Sequence, residues 1–500
     1  MNDNKKNSNN KDQTMEASTS SNNKREESLA LKSFMNDGTE DFAIVRGFFE
    51  NVYQKQCETF HWENRQVLLK NANKPEGYYG WEENNVQESP YEELVHQGWN
   101  VLLQLLSEAA CRTQSSPGNE ISVPLIFKDM SSVSDQLPTF YNNNVFAAYL
   151  DGCSVVFNHA DWSSPWIAAL CLDLQKSFPH TYANTYLTPP NSQAVNAHAD
   201  DRDVVVIQVV GSKHWKIYQK VPIPYCYPHE QVGKEGLEVP PEVLNGPILH
   251  ETTLKPGDAL YLPRGYVHEA RATDGDLSFH VTIAIATHDW TLAGTMTKAT
   301  DKILHSVFPF RMAMDRHIGM EEFNDVPQQV KKTLQMQIDE AFRMLKEEIT
   351  AETVAQNQEN KFRNHNKRAL EYRMGIIQKI QAISSEGVEE HEVVVGPEAA
   401  KRIRRDTYIR AATEEEKASI MMDRPRGLQV REQAADEIIR ILQALKAQPT
   451  LHCKVKDLKL LLGDDDVDDN TNASGCLCDL TLLSFARVCV EQGALAIANK

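Results

Sequence analysis

Leu254-Lys255-Pro256-Gly257-Asp258-Ala259-Leu260-Tyr261-Leu262-Pro263-Arg264-Gly265-Tyr266-Val267-His268 is the stretch from which the fold is read. Pro256-Gly257-Asp258 makes a tight turn, Ala259 to Leu262 an apolar strand, and Pro263-Arg264-Gly265 a second turn that presents His268. On either side, short β-branched runs recur between turn residues: Ser154 to Phe157, Val204 to Val210, Trp215 to Tyr218 and His280 to Ile285. They predict an antiparallel β domain over 146–290. One helix interrupts it, with Ser164 as its cap, Pro165 at its first position and Ile167, Leu170, Leu174 and Phe178 on one face. Gly211-Ser212 reads as a hairpin turn, and Pro222 to Pro247, rich in Pro, Gly and charge, as a long surface insertion.

Residues 1–30 are polar and Asn-rich, with five acidic and five basic side chains, and predict a disordered arm. Tyr91 to Cys111 carries the helical recurrence Leu94, Trp99, Leu102, Leu103 and Leu106. Beyond Asp289 the period becomes 3.6, and 290–385 reads as all helix. There Val330, Leu334, Ile338, Ala341 or Phe342, Leu345 and Ile349 form an apolar stripe suited to another helix or another subunit, though burial against the chain's own barrel would give the same pattern. The last segment, 398–500, holds a helix over Ala434 to Lys446, an acidic run at 463–470 and a helix through Leu482 to Val490 that stops near Gly493. This rhythm suits a winged-helix-like module or a plain helical cap.

The chain of 500 residues is 41% hydrophobic and 24% charged, which is globular composition and too long for one compact domain. Its net charge of -18 argues against delivery to phosphate backbones or anionic membranes. Nine cysteines without a C-x-x-C pair suggest neither a disulfide framework nor a zinc cluster, and the expected compartment is reducing. No run of about 18 apolar residues predicts a membrane span, and the first residues lack the apolar centre of a secretory signal. Basic runs at Lys401 to Arg405 and Lys24-Arg25 read as solvated helix faces before they read as nuclear import signals.

His198-Ala199-Asp200 lies just ahead of the strand over 203–210. In extended backbone residues i and i+2 project to one side, so an imidazole and a carboxylate aim at one point. Alone, such a pair is common and reads as a surface His near a loop Asp. The spacing Gly257, five residues, Pro263, one residue, Gly265, two residues, His268 matches the second motif of cupin barrels, whose first motif supplies two ligands and second a third. His198, Asp200 and His268 then form a two-histidine, one-carboxylate set, which suits non-haem Fe(II) and leaves positions open, whereas structural zinc would be closed by four ligands. A 2-oxo dicarboxylate bound there needs a fixed cation. Lys213 is the candidate, on one strand face with Trp215; an exposed hairpin lysine is the competing reading of the same residue.

The stretches Asn184 to Gln193, His198-Ala199-Asp200-Asp201, Ile207 to Tyr218, Pro263 to His268 and Leu277 to Thr282 closely resemble the JmjC-type ribosomal oxygenases, a family of histidyl hydroxylases and lysine demethylases. The likeness is strong over 140–290 and weaker from about 40 through the last segment. It implies a mixed α and β fold: a double-stranded β-helix barrel (31–289, core 140–289), a helical dimerisation domain (290–385) and a winged-helix-like domain (398–500). It also implies iron ligands at His198, Asp200 and His268, Lys213 on the distal carboxylate of 2-oxoglutarate, and Asn184 and Ser278 lining the co-substrate pocket. With three ligands already supplied, His214 and His280 read as packing residues or as neighbours of the ligands rather than as ligands themselves. The implied reaction uses Fe(II), 2-oxoglutarate and O2 to hydroxylate a histidine of a ribosomal protein, with histone lysine demethylation as the alternative. A homodimer in the nucleus or nucleolus, possibly the cytoplasm, without direct nucleic-acid binding, completes the expectation. Ala199 and Asn191 to Asn196 depart from the family pattern, on the substrate side. Outside the family, a non-catalytic metal-binding cupin or a metal-dependent isomerase would use similar motifs.

Overall fold

A nearly uninterrupted apolar strand, Val204 to Val210, organises the molecule. Val205, Ile207 and Val209 enter one large core, while Val204 and Val206 face Trp215, Ile217, Leu260 and Leu262 in a second. A strand covered on both faces is apolar at every position rather than at alternate ones. The computed structural model describes residues 57–60, 66–69, 90–111 and, with short interruptions, 124–383, 393–420, 428–462 and 477–498. The 1–30 arm and the 463–470 acidic run lie outside the described residues.

The strands are β1 (Cys57–Phe60), β2 (Gln66–Leu69), β3 (Leu125–Lys128), β4 (Ser131–Ser132), β5 (Ser154–Phe157), β6 (Thr181–Thr188), β7 (Asp203–Gly211), β8 (Lys213–Tyr218), β9 (Ile248–Leu254), β10 (Ala259–Leu262), β11 (His268–Ala272) and β12 (Ser278–Ile285). A nine-stranded sheet runs β1-β2-β10-β7-β12-β6-β5-β3-β4, and a three-stranded sheet β11-β8-β9 faces it. All the pairings are antiparallel. The Gly211-Ser212 step is therefore not a hairpin, since β7 and β8 belong to different sheets. Gly211 has φ +65°, and a Cβ there would fall 1.8 Å from the Leu277 carbonyl oxygen. Only glycine turns this corner, which carries the chain across the barrel.

The helix Pro165–Leu174 starts where expected, yet Ser164 makes no side-chain cap bond and its hydroxyl is buried without a partner. Tyr91 to Cys111 divides into Pro90–His96 and Gly98–Cys111. The break lets Gly98 lie against Val209 and Val210, where a Cβ would meet a Val209 methyl at 2.7 Å.

Beyond the barrel come the helices Leu292–Ser306, Gln328–Glu348 and Ala351–Ile383. The second has no fully buried residue: Ile338 and Phe342 of the apolar stripe are exposed, while Val330, Leu334, Ala341, Leu345 and Ile349 are half-buried, so the chain covers the stripe only in part. The third returns to the barrel domain and inserts Arg373 beside Asp161. In the last segment Cys453–Lys454, Tyr408–Ala411 and Leu495–Ile497 form a small antiparallel sheet. The helix Asp479–Glu491 beside it is buried from Leu480 to Val490, and its core is continuous with that of the barrel. No helix among the described residues is long and apolar enough to cross a membrane.

Candidate metal centre

Barrel closure brings the two histidines together through their backbones. His198 and His268 sit opposite each other in an antiparallel bridge, with N–H to carbonyl distances of 3.1 Å and 2.9 Å. Directly paired residues in antiparallel strands point their side chains to the same face, and the imidazole centroids are 4.6 Å apart. Asp200 follows at i+2. Its carbonyl is held by the Gly265 N–H at 2.9 Å and the Cys226 thiol at 3.2 Å. Gly265 has φ +90°, and a Cβ on it would come 2.7 Å from the Ile223 carbonyl, so this turn too requires glycine.

The tautomers follow from the hydrogen bonds. His198 Nδ1 lies 2.7 Å from the Asn196 carbonyl and His268 Nδ1 3.1 Å from the Tyr266 carbonyl. A carbonyl only accepts, so each Nδ1 carries the proton and each Nε2 keeps a lone pair. His198 Nε2 is 3.9 Å from Asp200 Oδ1, and His268 Nε2 is 3.7 Å from Asp200 Oδ2. Burial, then Lys234 and His268, push His198 down to about 3; burial also lowers His268. Burial opposes the Asp200 charge, but Lys234 and the two histidines outweigh it and hold the carboxyl below its usual range. At neutral pH the set is two neutral imidazoles and one carboxylate, the protonation state that ligation needs. Among the described residues no other set of three such donors comes as close together.

The donors open into a cavity between the two sheets, with Tyr186, Lys213, Trp215, His280 and Thr282 on its walls. Lys213 is 3% exposed, so the hairpin-lysine reading fails. Its Nζ donates to Thr188 Oγ1 at 3.1 Å and stands 6.0 Å from the Trp215 ring centroid, and no ion pair holds it among the described residues. Burial pushes it down to about 7. A buried ammonium with a hydroxyl as its partner is costly until an anion arrives. The donor chemistry at one place in the cavity and the unpaired cation at another fit Fe(II) and a dicarboxylic co-substrate.

His280 stacks on Tyr186 at 4.9 Å and meets Trp215 edge-on at 5.5 Å, and burial and then Lys213 hold it well below its ordinary value. His214 is on the outer face, bonded to Glu251 at 2.9 Å and Thr253 at 3.1 Å. Neither belongs to the donor set. Asn184 and Ser278 lie on β6 and β12, the paired strands that carry Tyr186, His280 and Thr282 of the wall. Asn184 Oδ1 accepts the His159 N–H at 3.0 Å. Ser278 Oγ accepts from Gln208 at 3.1 Å and pairs across the sheet with Thr188, one residue removed from Lys213. Both side chains are engaged with other residues of the barrel, and neither belongs to the donor set.

Two contacts have no sequence signal that led to them. Thr188 is reached from β6, and its alternation places it inward with Tyr186 only once the pairing is known. Lys234 comes from the 222–247 insertion and bonds Asp200. The insertion is not a loose surface loop: Cys226, Val232 and Val243 are buried, the two valines with Ala199 and Val267.

Residues 165–292 match the family described as the JmjC domain. The chain is 38% identical over 143 residues to the bifunctional lysine-specific demethylase and histidyl-hydroxylase NO66 of Culex quinquefasciatus, covering 28% of this chain and 21% of that protein. It is 35% identical over 144 residues to ribosomal oxygenase 1 of Rattus norvegicus, covering 28% and 23%. The chain thus spans about a fifth of the length of the curated relatives it matches. Among solved structures it is similar to YcfD of Escherichia coli, at 15% identity and a TM-score of 0.35 over 89% of this chain and all of that one. Another structure, of YcfD as a ribosomal oxygenase in complex with cobalt and 2-oxoglutarate, gives 15% identity and a TM-score of 0.28 over 69% and 79%.

Proposed function

We propose that the chain is an Fe(II)- and 2-oxoglutarate-dependent oxygenase that hydroxylates a histidine of a ribosomal protein, a reading supported by the match of residues 165–292 to the JmjC domain and by the similarity of that region to ribosomal oxygenase 1. One observation carries the reading: a cavity with three metal donors also holds a buried cation that lacks an anion. In this reading His198 and His268 through Nε2 and Asp200 through its carboxylate hold the metal. Lys213 binds the distal carboxylate of 2-oxoglutarate, with Thr188 orienting its ammonium and Ser278 and Asn184 bracing the wall. Bound iron, with 2-oxoglutarate and O2, supplies the oxidation that places a hydroxyl on a C–H bond while 2-oxoglutarate becomes succinate and carbon dioxide. Trp215, Tyr186 and His280 add ring faces to the wall beside these groups.

Succinate release from 2-oxoglutarate with Fe(II), abolished in His198→Ala, tests the reaction class; no metal-dependent turnover would leave a non-catalytic cupin. Mass spectrometry of ribosomal proteins tests the substrate: a histidine gains one oxygen with the wild-type chain and not with His268→Ala. The demethylase reading is supported by the name of the insect relative. It predicts formaldehyde release and methyl loss from histone lysines instead. The proposal also gives the exposed part of the stripe, Ile338 and Phe342, to a second copy of the chain, checked by sedimentation of Phe342→Glu. A nuclear or nucleolar place of work follows from such substrates.

A further inference from the structure

The insertion between β8 and β9 sets an ammonium on one oxygen of a candidate ligand, and we infer that Lys234 is a positioning residue that holds Asp200 to ligation through its other oxygen. The inference rests on the metal site proposed above. Lys234 Nζ donates to Asp200 Oδ1, and Gln231 Oε1 lies 3.4 Å from the same nitrogen. Asp200 Oδ2 is left for the metal, on the side of His268.

This contact is built into the fold. The Val232 carbonyl accepts the Ala199 N–H at 2.9 Å, so the insertion is stitched to the residue between His198 and Asp200. Gly233 has φ +80° and lies so close to the ligand strand that a Cβ would fall 2.3 Å from the Ala197 carbonyl and 2.7 Å from His198 Cα. Gln231, 7% exposed, donates to the Pro228 carbonyl at 2.9 Å and fixes the start of the turn. Lys234 thus leaves a backbone whose distance from Asp200 is set on both sides.

The consequence is one of counting positions. A facial set of three donors leaves three positions, of which a 2-oxo acid takes two and dioxygen one. A carboxylate is free to bind through one oxygen or two, and in the two-oxygen mode Asp200 would occupy a position the co-substrate needs. A charge-assisted bond to Oδ1 stabilises that oxygen where it is and makes the swing unfavourable.

Co(II) and 2-oxoglutarate titrations of the full chain test this, with the visible Co(II) bands reporting coordination. In Lys234→Met, Co(II) still binds, its band pattern changes, and 2-oxoglutarate binds roughly tenfold more weakly, the scale of one charge-assisted contact. Lys234→Arg restores both, and Gly233→Ala, which pushes the turn off the strand, reproduces the loss with the lysine still present. Unchanged bands and unchanged 2-oxoglutarate affinity in Lys234→Met would overturn the inference while leaving the metal site standing. Loss of Co(II) as complete as in Asp200→Ala would overturn it as well, because Lys234 would then be needed for ligation itself. A wild-type chain that takes up no Co(II) would defeat the site and the inference together.

Discussion

Arg373 and Lys213 are both buried cations, and they differ in company. Arg373, from the helix Ala351–Ile383, donates through Nε to Asp161 at 3.0 Å, through Nη1 to Gln175 at 2.8 Å and through Nη2 to the Thr181 carbonyl at 2.6 Å. Lys213, on the cavity wall, has the Thr188 hydroxyl. A charge whose donors are all answered inside the chain belongs to the fold, whereas one left with a neutral partner is held for something that arrives from outside. The first region fastens the helical extension to the barrel; the second waits for a ligand.

The sharpest way to break this contrast is to remove each cation in turn. Arg373→Ala strands the Asp161 carboxylate, which is fully buried, and loses about 3–5 kcal/mol of stability, read from denaturant unfolding. Lys213→Met removes an unpaired charge, so the metal-free protein stays as stable or becomes more so. Its loss appears in binding: 2-oxoglutarate affinity of the metal-loaded chain falls by about 2–5 kcal/mol, at least thirtyfold by calorimetry. If Lys213→Met unfolded the protein as Arg373→Ala does, the cation would be structural and the co-substrate reading would lose its support.

Titration sharpens the same comparison by a smaller amount. Burial pushes Lys213 down to about 7, whereas an unfolded lysine titrates near 10.4. Between these values the unfolded chain holds a proton that the folded chain has released, so the Lys213 contribution to stability of the ligand-free protein increases as pH rises from 7 toward 10. Binding runs the opposite way. A dicarboxylate needs the charged ammonium, so its affinity declines above pH 7 by up to about tenfold per unit. Lys213→Met flattens both slopes, and urea midpoints and calorimetry across pH 6 to 9 measure them.

How far the sequence reveals these features depends on how local their causes are. The His198-Ala199-Asp200 pair and the Gly257 to His268 spacing are local, and the strand period and turn glycines needed to join them are visible without coordinates. The corner at Gly211-Ser212 is not, because a Gly-Ser step looks the same in a hairpin; what separates the two is the pairing of β8 with β9 and β11, far along the chain. Arg373 sits in a helix that reads as one more charged amphipathic segment, and its partners lie on the other side of the barrel in sequence. Lys234 is hidden for the same reason. Side chains that pair across a closed barrel leave no periodic trace, so the metal donors are legible and their counter-charges are not.

β8 offers the finest form of the comparison, between neighbours. Side chains alternate along a strand, so Lys213, Trp215 and Ile217 face inward while His214 and Lys216 face out, toward Glu251 and Glu269. His214 and Glu251 are both more than 40% exposed, and pairs of that kind contribute little against the entropy of holding them together. His214→Ala therefore leaves the unfolding midpoint, the Co(II) bands and the 2-oxoglutarate titration where they were, while Lys213→Met one residue earlier removes most co-substrate binding. A one-residue register slip would exchange the two faces and make His214 the sensitive position. The pair of variants thus tests the register of β8 as well as the role of Lys213, since only the pairing of Lys213 with Leu254 and Ala272 puts its ammonium inside.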